Sequence, residues 1–303
     1  SNPLMLSAHL DTVNPGRGIK PQVVGNFIQS DGTTILGGDC KAGIAAVLEA
    51  LEVIKEDGTS RIPVQLIFTR GEEIGLVGAR NLDFSMIQAK QAVVFDGNGP
   101  VNMVTTASPT YIRFDVQITG RSAHAGVEPE KGLSAIKIAA DIITNLPQGR
   151  LDGETTINIG SISGGSVRNT VPEEATFSGE FRSRSTETLD LLRLQITAAL
   201  DSAREQYIEA KIVEDLNVEF HTYTLPNDHE MVQRASKVLE NIDLTPNLGP
   251  TGGGTDANVF NRRGIPSVVV GMSTNLMHTN REYVDIPDLI NTARFCQALL
   301  LSR

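Results

Sequence analysis

Gly37-Gly38-Asp39-Cys40-Lys41-Ala42-Gly43 is the stretch whose reading decides the fold. Two glycines make a tight turn, a carboxylate sits at its apex, and a helix-forming run from Ala42 to Lys55 follows at once. Taken alone, Asp39 reads as a cap that satisfies the free N–H groups of a first helical turn. Its company changes that reading. Four other stretches each end a predicted strand with a metal-ligand type of side chain: His9, the pair Glu72-Glu73, Asp96 and His278.

Working outward, Ile44, Val47, Leu48 and Leu51 recur at helical spacing, so one face of the helix after Asp39 packs on a sheet. Upstream, Pro3 to Ala8 reads as a buried strand running into His9-Leu10-Asp11. Alternation puts His9 and Asp11 on one side, the arrangement in which a carboxylate orients a ligating imidazole. A turn-rich hairpin, with Pro15-Gly16 and Ser30-Asp31-Gly32, links this strand to Gly37. Downstream, Ile62 to Thr69 is a second buried strand that delivers Glu72-Glu73, two carboxylates able to divide metal binding from proton handling. Leu82 to Gln91 is expected to be helical, and Ala92 to Phe95 to be a third core strand ending in Asp96-Gly97. Strand and helix alternating in this way predict an α/β fold with a largely parallel sheet. Ligands in such sheets collect outside the carboxyl ends of the strands, where His9, Asp39, Glu72, Glu73 and Asp96 all fall.

From about residue 109 the texture changes. Strands are expected at Tyr111 to Thr119, Thr155 to Ser163, Thr176 to Ser185 and Lys211 to Thr222, with helices at Gly132 to Asn145 and Thr186 to Tyr207. This β-α-β-β-α-β order predicts an α+β, ferredoxin-like insert with an antiparallel sheet. The expected domains are therefore a discontinuous metal-binding catalytic domain, 1–108 with 223–303, and an inserted domain, 109–222. The remainder reads as a helix (His229 to Ile242), the glycine run before Thr255-Asp256, a helical turn, a core strand (Pro266 to Val270), Met277-His278 and a final helix (Pro287 to Leu301).

The 303 residues, 40% hydrophobic with 28 glycines, suit a soluble globular protein, and no apolar run is long enough to span a bilayer. A formal charge of −10 argues against nucleic acid as a partner. Two distant cysteines, Cys40 and Cys296, make no disulfide framework; free thiols fit a reducing compartment, and the expected location is the cytoplasm. Gly160-Ser-Ile-Ser-Gly164 has the wrong register for a nucleophile elbow, and phosphate-loop, dinucleotide and His-Glu-x-x-His signatures are absent. The glycines at 252–254 follow no clear strand and read as backbone that approaches a substrate or metal. The histidines and carboxylates fit two divalent ions in a mixed N/O site, zinc or a near neighbour, bridged by Asp39, with a remaining Glu as base toward a water.

His9-Leu-Asp11-Thr-Val, Gly37-Gly-Asp39-Cys-Lys-Ala-Gly43, Glu72-Glu73-Ile-Gly and Gly253-Gly-Thr-Asp256 resemble the M20 metallopeptidase family, closest to its peptidase T-like branch. The resemblance covers essentially the whole chain and keeps the family's motif order. It implies a two-metal catalytic domain interrupted by a lid or dimerisation domain. It implies that His9 and Asp96 hold one metal, that Glu73 and His278 hold the other, and that Asp39 bridges them. Asp11 would buttress His9, and Glu72 would be general base and then proton donor. In the lid, Gly120-Arg-Ser-Ala-His124-Ala-Gly126 resembles the motif whose His meets the oxyanion, often in a partner's site. Asn169 and Arg182 resemble a substrate-anchoring pair, and Gly253, Gly254 and Thr255 would line the substrate. Asp96, where deacylases and carboxypeptidases of the family tend to have Glu, tilts the implied activity toward peptides with a free amino terminus.

The expected protein is thus a zinc-dependent aminopeptidase acting on short peptides, chiefly tripeptides, with cobalt or manganese as alternative ions and a homodimer formed through the lid. An N-acyl amino acid deacylase or carboxypeptidase, and an inactive metal- or peptide-binding protein, are the alternatives. Cys40, often Asp in this branch, is expected to be a packed spectator. The family's helix and strand before the first metal His have no counterpart here, so truncation at the N-terminus is expected.

Overall fold

The computed structural model describes residues 2–301, and the chain divides into two compact units. One comprises the residues up to Ser108 with those from Tyr223 onward; the other is Pro109–Thr222.

In the first unit, the strands Val64–Thr69, Leu4–His9, Ala92–Gly97 and Ser267–Gly271 lie side by side and parallel. All six residues of Leu4–His9 are buried. That pattern requires both faces of the sheet to be covered, the situation of a parallel sheet clothed by helices. Helix Gly38–Glu56 packs on Leu4–His9 and on helix Ile286–Leu301, and Phe95 meets Phe295 edge to face. Helices Glu230–Glu240 and Asp256–Arg262 pack on Ser267–Gly271. The sheet departs from parallel at one edge. Met103–Ser108 runs antiparallel to Ser267–Gly271 and carries Tyr223–Thr224 and Asn247–Pro250. Its Thr-Thr-Ala-Ser sequence has little apolar patterning, so periodicity gives it no signal.

Leu82 to Gln91 is not a helix, contrary to the sequence expectation. Helix is confined to Val77–Arg80, followed by one 3-10 turn, Phe84–Met86, capped by Asp83. The side-chain carbonyl of Gln65 then accepts from the backbone N–H groups of Gln88 and Ala89 at 2.7 and 2.8 Å, taking donors that a helix would need. A small sheet of Gln22–Val24, Phe27–Gln29, Tyr283–Asp285 and Thr274–Asn275 completes the unit.

The second unit is an antiparallel sheet in the order Lys211–Phe220, Thr110–Thr119, Glu174–Ser183, Thr156–Gly164, Gly149–Arg150. Numbered by sequence, its four long strands lie 4-1-3-2, the ferredoxin-like arrangement, with helices Ala135–Thr144 and Thr186–Gln206 between them. Thr110–Thr119 buries alternate residues, so one face is packed. Ile112, Phe114, Phe177 and Phe181 meet Ile138, Ile142, Leu192 and Ile196 there. Ser134 and Ser185 cap the two helices, accepting from the N–H groups of Lys137 and Thr188.

Gly43 explains how closely the first helix seats. A Cβ on it would stand 2.5 Å from the carbonyl oxygen of Phe95, the residue before Asp96. Gly43→Ala is expected to destabilise the protein by about 1–3 kcal/mol. Gly153→Ala, where a Cβ meets nothing within 4 Å, should stay within about 0.5 kcal/mol of the parent. Urea denaturation of both variants measures the difference.

Candidate metal centre

The carboxyl edge of the parallel sheet gathers the site. His9 ends its strand, Asp96 lies near the end of Ala92–Gly97, and Glu72 and Glu73 follow Val64–Thr69. Asp39 is not a cap: Asp39 and Cys40 have non-helical dihedrals within Gly38–Glu56, and no side chain caps that helix. The Asp39 carboxylate instead faces two histidines. Oδ1 is 3.0 Å from His9 Nε2, and Oδ2 is 3.2 Å from His278 Nε2. Asp96 Oδ1 comes within 3.4 Å of the same His9 nitrogen, and Glu73 Oε2 within 3.1 Å of the same His278 nitrogen. Two clusters that share Asp39 result.

The histidine tautomer decides what these clusters can hold. His9 Nδ1 lies 3.0 Å from the backbone carbonyl of Asp11, which only accepts, so Nδ1 carries the hydrogen. In a neutral ring Nε2 is then a bare lone pair facing two carboxylates, Asp39 and Asp96. Only a proton or a metal ion makes that contact favourable. Without a metal, burial alone would lower the His9 pKa, but hydrogen bonds to Asp39 and Asp96 and their charges push it up to about 12. Hydrogen bonds to Asp39 and Glu73 raise His278 to about 10. Burial and then the Asp96 charge push Glu72 up to about 10; burial raises Asp96 to about 7. Asp39, despite burial, is held down at about 2 by His278 and His9. One oxygen of Glu73, Oε1, is buried without a hydrogen-bond partner. The donor set of imidazole nitrogens and carboxylate oxygens fits divalent ions of the zinc type.

Asp11 has more to do than alternation indicated. Its carbonyl orients His9, its carboxylate lies 3.7 Å from Nδ1, and that carboxylate accepts from the N–H groups of Glu72 and Glu73, both at 3.2 Å. Lys41 donates to the same Asp11 carbonyl at 3.0 Å. The Cys40 thiol is fully buried, donates to the Phe95 carbonyl and has its pKa raised by burial, so it stays a protonated packing group. Thr255 caps helix Asp256–Arg262 in a capping box with Asn258. The glycine run before it does follow a strand, the short Asn247–Pro250. A Cβ at Gly252 meets nothing within 4 Å and one at Gly253 only Thr251 Oγ1 at 3.7 Å, so the chain's own packing does not demand glycine at either position. Gly253 is fixed by its carbonyl, which accepts from Ser108, and Gly254 lies between it and the cap.

In the second unit, His124 is exposed and accepts from the Gly126 N–H. Its loop is tied to the segment of Asn169, whose carbonyl accepts from the Ala125 N–H. Arg182 lies over the Tyr111 ring at 4.4 Å and donates to Glu180.

Sequence reasoning missed three contributors in the first unit: Glu282, Lys41 and Asp256. Asp256 is buried and accepts from Thr69 Oγ1 at 2.5 Å. It closes the Gly253-Gly-Thr-Asp256 motif, but nothing in spacing distinguishes it from a helix-start acid.

Residues 106–208 match the M20 peptidase dimerisation domain family, 1–121 match peptidase family M28, and 167–295 match the M42 glutamyl aminopeptidase family. The uncharacterized protein YqjE of Bacillus subtilis is 38% identical over 98% of this chain and 80% of its own length. The crystal structure of aminopeptidase PepT from Bacillus cereus aligns with a TM-score of 0.88 and 38% identity, over 99% of this chain and 80% of that one. A tripeptidase from Staphylococcus aureus aligns with a TM-score of 0.93 and 34% identity, with the same coverage. The chain belongs to the M20 peptidase family, in its peptidase T-like branch.

The carboxylates beside them push the pKa of both histidines above its ordinary value, so a metal bound by His9 and His278 would have to displace their protons. Affinity should therefore rise with pH, about tenfold per unit for each proton displaced. Calorimetric titration of the metal-free protein with zinc at pH 7 should give an enthalpy that varies with the ionisation enthalpy of the buffer. An enthalpy independent of the buffer would contradict proton displacement.

Proposed function

We propose that the chain is a two-metal aminopeptidase that releases the N-terminal residue of tripeptides. The observation that carries this reading is Asp39 presented between two ligand clusters, with Glu72 beside them, in a chain 38% and 34% identical to an aminopeptidase and a tripeptidase. In this reading His9 and Asp96 hold one ion, Glu73 and His278 hold the other, and Asp39 serves both. Divalent ions bound there, zinc by the mixed N/O donor set, would polarise the scissile carbonyl and lower the pKa of a nearby water.

The chain's own groups do the rest. Glu72 takes the proton of the attacking water and returns it to the leaving amine. Its environment suits both proton transfers. Without cations, burial and neighbouring carboxylates keep it protonated, and positive charge in the pocket favours its ionised form. Asp11 holds the backbone of Glu72 and Glu73 in place while its carbonyl fixes the His9 tautomer. His124 donates to the developing oxyanion, and Asn169 and Arg182 anchor the substrate with the Gly253-Gly254-Thr255 backbone. A second copy paired through the dimerisation domain supplies His124 in trans. No helix among the described residues is long and apolar enough to cross a membrane, and a cytoplasmic enzyme acting on short peptides is the setting we infer.

A free tripeptide and its N-acetylated twin, incubated with zinc-loaded protein, test the activity. Release of the first residue from the free form alone is expected; preference for the blocked form would hand the site to a deacylase or carboxypeptidase. Glu72→Gln should lower kcat by about 10²–10⁴-fold while metal content stays unchanged. Undiminished turnover would remove Glu72 from its role.

A further inference from the structure

Glu282 is the least exposed carboxylate of the first unit, 1% accessible, and it coordinates no candidate ion. Its two oxygens are saturated by backbone donors from a single stretch. Oε2 accepts from the N–H groups of Leu36 and Gly37, both at 2.8 Å, and Oε1 accepts from the N–H of Asp39 at 2.9 Å. These three donors belong to the turn that presents Asp39. Glu282 also lies four residues beyond His278, and its own N–H closes that short loop on the Thr279 carbonyl. One loop therefore supplies both the imidazole that meets Asp39 Oδ2 and the carboxylate that grips the Asp39 amide.

We propose that Glu282 is a positioning residue for the metal pair: it locks the Asp39 turn and the His278 loop into one unit, so that the bridging carboxylate and its histidine partner keep a fixed register. The inference rests on the two-metal reading of the site. Three features support it. First, burying a carboxylate at the Asp39 turn is costly unless the donors it satisfies need both of its acceptor oxygens. They do: a glutamine has a single acceptor oxygen, and its NH2 would confront a backbone N–H. Second, the turn is packed against the same segment as well as hydrogen-bonded to it. A Cβ on Gly38 would stand 2.7 Å from Val284 Cγ2, so the turn seats directly on the strand that follows Glu282. Third, the segment ending in His278 has three non-glycine residues at positive φ: Ser273 at 74°, Leu276 at 53° and His278 at 64°. Such backbone persists only where surrounding contacts over-determine it, and the hydrogen bonds of Glu282 join the contacts of His278 with Asp39 and Glu73 in tying this loop to the site.

The test reads metal affinity rather than turnover. Zinc dissociation constants from chelator competition, and the melting temperature of the metal-free protein, are compared for the parent, Glu282→Asp and Glu282→Gln. Removing a group that orients a ligand typically costs about 10–100-fold in metal affinity. We expect Glu282→Gln to bind zinc that much more weakly, with Glu282→Asp, which keeps the charge but draws it back by one methylene, in between. A lower melting temperature with affinity within twofold of the parent would reduce Glu282 to a structural brace and overturn the proposal. Should the Gln variant not fold, Glu282→Asp decides by the same criterion. A parent protein that binds fewer than two zinc ions would instead bring down the two-metal reading itself.

Discussion

The burial of Asp39 beside two other carboxylates is the constraint on which the rest of the site depends. His9, Asp39, Glu73, Asp96 and His278 come from five separate segments, and all but His278 are largely removed from water. Carboxylates that share such a space must be neutralised, by positive charge among them or by protonation. Asp39, Asp96 and Glu73 accordingly push both histidines far above their ordinary range. Divalent cations meet the same need with a higher charge and without occupying the nitrogen lone pairs with hydrogen. In the two-metal reading, metal binding, proton release and the ionisation of Glu72 would be one electrostatic event.

The fold supplies what that event requires. A parallel sheet whose central strands are buried on both faces brings the ends of Leu4–His9 and Ala92–Gly97 to one edge together with the end of its half-buried edge strand Val64–Thr69, expected from sequence to be fully buried, and the register pairs His9 with Thr69. Glycines then permit the closest approaches: Gly43 lets the first helix touch the Phe95 backbone, and Gly38 lets the Asp39 turn sit on Val284. A second set of groups holds the candidate ligands in place. The Asp11 carbonyl determines which His9 nitrogen is free, its carboxylate holds the Glu72-Glu73 backbone, and Glu282 holds the amide of Asp39. The ligands are thus oriented by backbone that is itself hydrogen-bonded to charge.

Much of this was legible in the sequence, for identifiable reasons. Strands buried on both faces, such as Ala92-Val93-Val94-Phe95, write themselves as unbroken apolar runs, and a ligand-type residue at the end of each marks the functional edge. The ferredoxin-like order of the second unit followed from alternation in Tyr111 to Thr119 and the long amphipathic helix from Thr186. What escaped has no periodic signature. The helix expected at Leu82 to Gln91 was undone by a side chain far away in sequence, Gln65, which captures two backbone donors. The strand Met103–Ser108 is too polar to announce itself. Glu282, in Thr-Asn-Arg-Glu, looks like any loop acid until the fold brings Leu36, Gly37 and Asp39 to it.

The most direct test of the shared Asp39 bridge is anomalous diffraction at the zinc edge from crystals of the zinc-loaded protein. Two peaks about 3.5–4 Å apart are predicted, with the Asp39 carboxylate between them, His9 and Asp96 on one and Glu73 and His278 on the other. A single peak, or two peaks that do not share Asp39, would contradict that bridge.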